Sequence, residues 1–369
     1  MFRQRNRLLA GGALAAIALG LCAGPAAAAV APDITTIAST VPGNGDVNPY
    51  GVAVVPDSIG ALQRGNVLVS NFNNKANQQG TGRTIVQITP KGRVSTFAYV
   101  DPRHLPGRCP GGVGLTTALS VLRSGWVIVG SLPTKDGTSA TAKAGCLLVL
   151  DSRGKVRETI AGWGINGPWD MTAADYGDHA DLFVTNVLNG TVAGNGAVVR
   201  RGTVLRIALS IAQRGYGLPR PEAVTVIGSG FPERTDPNAL VVGPTGVGLS
   251  NRGTLYVADT AANRIAAIPD ALKRTRTAGT GSTVTRNGHL NGPLGLTTTR
   301  RGTILTVNGG DGNLVSITPN GTQGPPVQLD DSGTPAGAGA LFGIALKPRH
   351  GGLYFVDDAD NTLKLLHRR

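Results

Sequence analysis

Aromatic side chains are scarce in this sequence, at 4% of 369 residues, which argues against an extended stacking platform for bases or sugar rings. Glutamate occurs only at Glu158, Glu222 and Glu233, so a site built on paired glutamates has few places to form. The five histidines (His104, His179, His289, His350, His367) show no metal-ligand spacing, and with three cysteines there is no Cys/His zinc pattern. A Gly-x-Ser-x-Gly elbow and a phosphate-binding glycine loop are also missing. After the first 29 residues no apolar run is long enough to be a transmembrane helix.

Glycine and hydrophobic residues are abundant. With 54 Gly and 23 Pro beside 41% hydrophobic residues, the chain reads as turn-dense and globular rather than disordered. Residues 1–29 read as a signal peptide: Arg3, Arg5 and Arg7, an apolar core from Leu8 to Leu21, a Gly24-Pro25 break, and small residues at Ala26 to Ala29. A lipoprotein site at Cys22 is the rival, disfavoured by the bulk of Leu21 before it. The mature chain, 30–369, is then an exported single domain, periplasmic or extracellular, with no transmembrane segment. Removing the three leader arginines from 35 Lys+Arg leaves 32 against 22 Asp+Glu, a net charge near +10. The cations are scattered, which fits solubility and attraction to an anionic envelope better than nucleic-acid binding. Cys109 and Cys146 remain after processing. In an oxidising compartment they are expected to form a disulfide, with a free thiol pair as the alternative.

The chain is organised by a repeat. PTGVGLSNRGTLYVADTAANRIAAIP (Pro244 to Pro269) holds strand-like runs punctuated by Gly, Asn and Asp, and the pattern recurs at intervals of roughly fifty residues or more. Six inner strands are placed at Gly51, Gly114, Trp169, Gly246, Gly295 and Gly343, each followed by second and third strands. Third strands are expected at Thr84 to Ile88, Val204 to Ile207 and Arg264 to Ile268 in units one, three and four, and the third unit's fourth strand at Val224 to Ile227. Fourth strands follow in five units. The sixth lacks one because the chain ends, while a spare strand, Ile34 to Ala38, precedes the first. Pairing the two closes the ring and removes an exposed edge. The expected fold is all-β: a six-bladed β-propeller of four-stranded blades. The third unit's excess, Leu188 to Gly202 and Arg214 to Pro221, reads as loop.

GVGLSNRGTLYVADTAANRI resembles an NHL repeat, and FGIALKPRHGGLYFVDDADNTLKLL and YGVAVVPDSIGALQRGNVLVSNFNN are looser copies, whereas unit two matches poorly. The resemblance implies a six-bladed propeller and no particular activity, since such propellers serve as binding scaffolds and as enzymes.

The loop-rich face is expected to carry Asn73 to Gly82, Asp101 to Gly112, Pro133 to Gly145, Leu188 to Gly202 and Gly333 to Ala340. One position repeats at the end of each second strand: Asn71, Ser131, Asn186, Asp259, Asn308 and Asp357. These oxygen-bearing side chains either face the channel mouth, as ligands for a hard cation such as Ca²⁺, or cap their own turns. Resemblance to gluconolactonase-like propellers implies a divalent metal held by a Glu, an Asn and an Asp at inner-strand entrances. Here Asp170, Asn166 and Asn291 are the candidates, and the Glu is missing. Asp170 is alternatively a turn cap. Resemblance to streptogramin-lyase-like propellers implies a catalytic His, for which His289 is the candidate, with a plain surface histidine as the alternative.

The reading favoured by the sequence is a monomeric, exported, non-enzymatic binding or scaffold module. It binds an unidentified protein or anionic envelope ligand through its loop-rich face. The alternative is a metal-dependent lyase or lactonase-type enzyme with Asp170, Asn166 and Asn291 near the metal and His289 as base.

Overall fold

The computed structural model describes residues 31–212 and 217–368; the leader read over 1–29 lies outside them. Strand β1 (Ile34–Ser39) comes first. Blade one is β2 (Val47–Val54), β3 (Val67–Asn73), β4 (Thr84–Ile88) and β5 (Val94–Tyr99). Blade two is β6 (Leu115–Val121), β7 (Val127–Ser131), β8 (Cys146–Leu150) and β9 (Val156–Ile160). Blade three is β10 (Gly167–Asp175), β11 (His179–Val187), β12 (Val199–Ser210), β13 (Arg220–Asp236) and an added β14 (Leu240–Val242). Blade four is β15 (Pro244–Leu249), β16 (Leu255–Asp259), β17 (Arg264–Ile268) and β18 (Ser282–Arg286). Blade five is β19 (Pro293–Thr298), β20 (Ile304–Asn308), β21 (Asn313–Ile317) and β22 (Val327–Gln328). Blade six is β23 (Leu341–Leu346), β24 (Leu353–Asp357) and β25 (Thr362–Leu366), with β1 as its outer strand.

All pairings are antiparallel, and β1 closes the ring in the register Ile34↔Leu366 to Ser39↔Thr362. The six inner strands contact one another in a closed cycle around a central channel. Their repeat has a packing cause. Between Pro244↔Asp259 and Val247↔Val257, two residues (Thr245, Gly246) oppose one (Ala258), a bulge that turns the inner strand onto the next blade. Equivalent bulges occur in β2, β10, β19 and β23. The second bulge residue is glycine where backbone passes close: a Cβ on Gly246, Gly295 or Gly343 would lie 2.0, 1.9 or 2.1 Å from the carbonyl oxygen of Leu294, Phe342 or Tyr50.

The register corrects two expected positions. In β6 three residues, 116 to 118, oppose Gly130, so Ala118 rather than Gly114 occupies the glycine position. In β10 that position is Asp170, and Trp169 precedes it. Blade three also departs from the loop reading. β12 and β13 extend well beyond the expected Val204 to Ile207 and Val224 to Ile227, and part of Leu188 to Gly202 is helix α1 (Thr191–Gly194) and the start of β12. Core contacts hold the extension: Ile227 and Phe231 are fully buried on β13.

Candidate functional site

The channel is plugged at the loop-rich face. The first bulge residues of four inner strands, Tyr50, Trp169, Leu294 and Phe342, meet in one buried cluster with Phe72 from β3. Tyr50 stacks on Phe342 with ring centroids 4.0 Å apart and on Phe72 at 4.5 Å, and it lies 6.3 Å from Trp169. Sequence reading missed what covers them. The β13–β14 hairpin, paired Arg234↔Val242 to Asp236↔Leu240, adds Ala239, Leu240, Val241 and Val242 to the same cluster. The Trp169 indole N–H donates to the Val241 carbonyl at 3.0 Å, and the Tyr50 hydroxyl donates to the Asn238 carbonyl at 3.4 Å. Asp236 accepts from the backbone N–H groups of Asn238 and Ala239 and so holds the hairpin turn.

Beyond the layer of glycines, the channel holds a cavity of about 230 Å³ lined by Asp170, Thr117, Ser120, Thr172 and Thr297 among apolar neighbours. The Asp170 carboxylate accepts from the Met171 N–H (2.8 Å) and from the Val247 N–H of the next blade (3.1 Å). It therefore braces blade three against blade four where other blades bring backbone into contact. Thr185 reinforces the brace, its hydroxyl accepting from the Asp170 N–H and donating to the Thr245 carbonyl. Burial pushes the Asp170 carboxyl up to about 8, against the pull of the two N–H donors.

The metal candidates do not share this cavity, which includes neither Asn166 nor Asn291. Asn166 donates its amide to Asn189 Oδ1 at 2.7 Å, and Asn291 is exposed before β19. With both Asp170 oxygens engaged by backbone donors, the three residues do not fit a common divalent ion. His289 is exposed; its N–H donates to Gln323 and its carbonyl accepts from Asn308. Among the described residues, no group of three or more His, Cys, Asp or Glu side chains is placed to hold a metal. Glu233, far in sequence from any inner-strand entrance, is brought against Gly243 at the entrance of β15 by the long β13. It is buried and accepts from the Asn189 N–H at 3.0 Å, and burial raises its carboxyl to about 7.

The six residues expected to end the second strands are all fully buried; four do end them, whereas β3 runs on past Asn71 to Asn73 and β11 past Asn186 to Val187. Asn71 donates to the Thr40 carbonyl, Ser131 to that of Gly112, and Asn186 to Thr203 Oγ1. Asn308 donates to the His289 carbonyl and to Asp311. Asp259 pairs with Arg264 at 2.8 Å and Asp357 with Lys364 at 2.6 Å. Each side chain is engaged by its own blade or the segment leading into it.

A second opening lies on the loop-rich face between blades one and two, a polar cleft of about 550 Å³. Asn44, Asp46, Asn74, Gln78, Arg83 and Tyr99 come from blade one, and Gly111, Gly112 and Lys135 from the loops of blade two. The Cys109–Cys146 disulfide (Cα–Cα 5.4 Å) ties the segment carrying Gly111 and Gly112 to the start of β8.

No protein-family model matches the chain, and no curated protein matches its sequence. Solved structures do match in fold. A gluconolactonase from Xanthomonas campestris is 13% identical over 90% of this chain and 89% of its own, with a TM-score of 0.56. Virginiamycin B lyase from Staphylococcus aureus is 14% identical over 91% and 99%, with a TM-score of 0.53. A calcium-binding regucalcin from Agrobacterium tumefaciens is 14% identical over 90% and 94%, with a TM-score of 0.51. At these identities the likeness is one of architecture, and function has to be argued from the site.

Proposed function

We propose that this chain is an exported, non-enzymatic propeller that binds its ligand on the loop-rich face, in the cleft between blades one and two. One observation carries the reading: the channel on that face is filled by the Tyr50–Trp169–Phe342 cluster beneath the β13–β14 hairpin, while the cleft beside it is open. Export is supported by the buried disulfide, which belongs in an oxidising compartment. No helix among the described residues is long and apolar enough to cross a membrane.

A second reading, a metal-dependent lyase or lactonase-type enzyme, is favoured by the propeller neighbours and by the Asp170 carboxyl in the channel cavity. The two readings separate in one assay, the melting temperature of the mature protein with Ca²⁺, Mg²⁺, Mn²⁺ or Zn²⁺. The binding reading expects no metal-induced shift of several degrees in the wild type. A shift of that size, lost in Asp170→Ala, overturns it.

A further inference from the structure

The cleft between blades one and two contains cations without partners. Among the described residues, neither Arg83 nor Lys135 has an ion pair, although Lys135 stands at the rim and the Arg83 Nε is buried with no hydrogen-bond acceptor. That nitrogen is closed to solvent, but the terminal guanidinium nitrogens also have no hydrogen bond or ion pair among the described residues, and a ligand carboxylate meeting them gains a charge-assisted bond. Among the described residues, Asp46 is the one carboxylate lining the cleft. Its Oδ2 accepts from the Arg83 backbone N–H at 2.8 Å and the Thr84 hydroxyl at 2.5 Å, and among the described residues it makes no ion pair with the guanidinium. Two cations against one anion leave the cleft net positive.

The rest of the lining has a different chemistry. Asn44, Asn74 and Gln78 line it with amides already partly engaged. Asn44 Nδ2 donates to Thr84 Oγ1 at 3.0 Å, Asn74 Oδ1 accepts from the Ala76 and Gln78 N–H groups, and Asn74 Nδ2 donates to Gln78 Oε1 at 2.8 Å. What they offer a ligand is the remaining amide N–H donors, the Gln78 nitrogen foremost. Tyr99 at the end of β5 is 54% exposed, in a chain where few large aromatics reach the surface. An exposed ring face, several amides and one guanidinium suit a ligand with a C–H-bearing ring, several hydroxyls and a single carboxylate. The remaining wall is pinned by the Cys109–Cys146 disulfide and by the Gly111 N–H to Ala144 carbonyl bond, so it is preorganised.

We propose that the cleft binds an acidic sugar, with its carboxylate on Arg83, its ring against Tyr99 and its hydroxyls on the amides. The proposal rests on the binding reading above and names its ligand class. The test is calorimetric titration of the mature wild-type protein, at low salt, with D-glucuronate, D-glucose and acetate. Glucuronate is expected to bind saturably and at least about tenfold more tightly than either other probe, because a hydrogen bond to a charged group contributes that much. In Arg83→Gln that advantage is expected to disappear. Lys135→Gln and Tyr99→Ala, both at exposed positions and so safe for folding, are each expected to weaken glucuronate by several-fold. Absent glucuronate binding, equal binding of glucose or acetate, or unchanged affinity in the folded Arg83 and Tyr99 variants each overturn the proposal. The metal-dependent melting assay decides the binding reading separately, so failure of the ligand class is distinguishable from failure of the function.

Discussion

Replacing Asp170 by Asn tests the inter-blade brace through its titration. The folded carboxyl stands at about 8 because it is buried, whereas an unfolded Asp has its ordinary value near 3.8. Between those values the unfolded chain is ionised at this position and the folded chain still holds its proton. Folding stability therefore falls as pH rises, by roughly 1.4 kcal/mol per unit. From pH 5 to pH 8 this group alone removes about 4 kcal/mol. Above about pH 8 its contribution is flat, and below about pH 4 the penalty is absent. The Asp170→Asn side chain does not titrate. It would also turn an amide NH₂ toward one of the two backbone donors, Met171 N–H or Val247 N–H, at a cost of about 1–3 kcal/mol. The variant is accordingly expected to be less stable than wild type at pH 5 and to gain on it steadily toward pH 8. Glu233 and Asp358 at about 7, and Asp357 at about 6, slope the same way but cancel in the difference between the two proteins. Urea unfolding at four pH values between 5 and 8 measures that difference. A wild-type-minus-variant free energy that is constant across the range would refute the buried, protonated Asp170.

Other perturbations have equally defined outcomes. Trp169→Ala removes one large ring of the plug and the bond to the Val241 carbonyl, with an expected loss of about 3–5 kcal/mol measured by chemical denaturation. Paired Cys109→Ser and Cys146→Ser release a disulfide with a sequence separation of 37, which chain entropy values at about 4 kcal/mol; thermal unfolding of the double variant reads it. Arg264→Ala strands the buried Asp259 carboxylate and should cost about 3–5 kcal/mol, more than removing an exposed pair such as Arg157–Asp151. Deleting residues 31–40 takes β1 off β25 and leaves a strand edge open, so light scattering is expected to show self-association absent from the intact mature chain.

The blade plan was readable because each short strand is bounded by turn glycines and asparagines whose spacing survives in every unit. β4 and β17 fall on the expected bounds, and the orphan strand and strandless last unit pointed to the closure that the Ile34↔Leu366 register shows. What escaped the sequence has specific causes. Unit two matched the repeat poorly because its bulge carries one more residue, which moves the glycine position to Ala118. In β10 the repeat aligns on Trp169 instead of Asp170, one residue early, because no glycine marks that position. The hairpin over the channel is hidden in β13, where Gly228-Ser229-Gly230 looks like loop although its neighbours Ile227 and Phe231 are both fully buried. The cleft draws single residues from several separate stretches, and only the ring brings them together.

Hydrogen exchange at the Trp169 indole is the most direct measurement of the closed channel mouth on which the functional reading rests. Its N–H is bonded to the Val241 carbonyl beneath the hairpin, whereas Trp163 is 59% exposed. With indole resonances assigned by Trp126→Phe and Trp163→Phe, transfer to deuterated buffer is predicted to leave the Trp169 signal intact for hours after the Trp163 signal has vanished. Loss of both signals together, in the folded protein, would show that the mouth is open and would contradict the account.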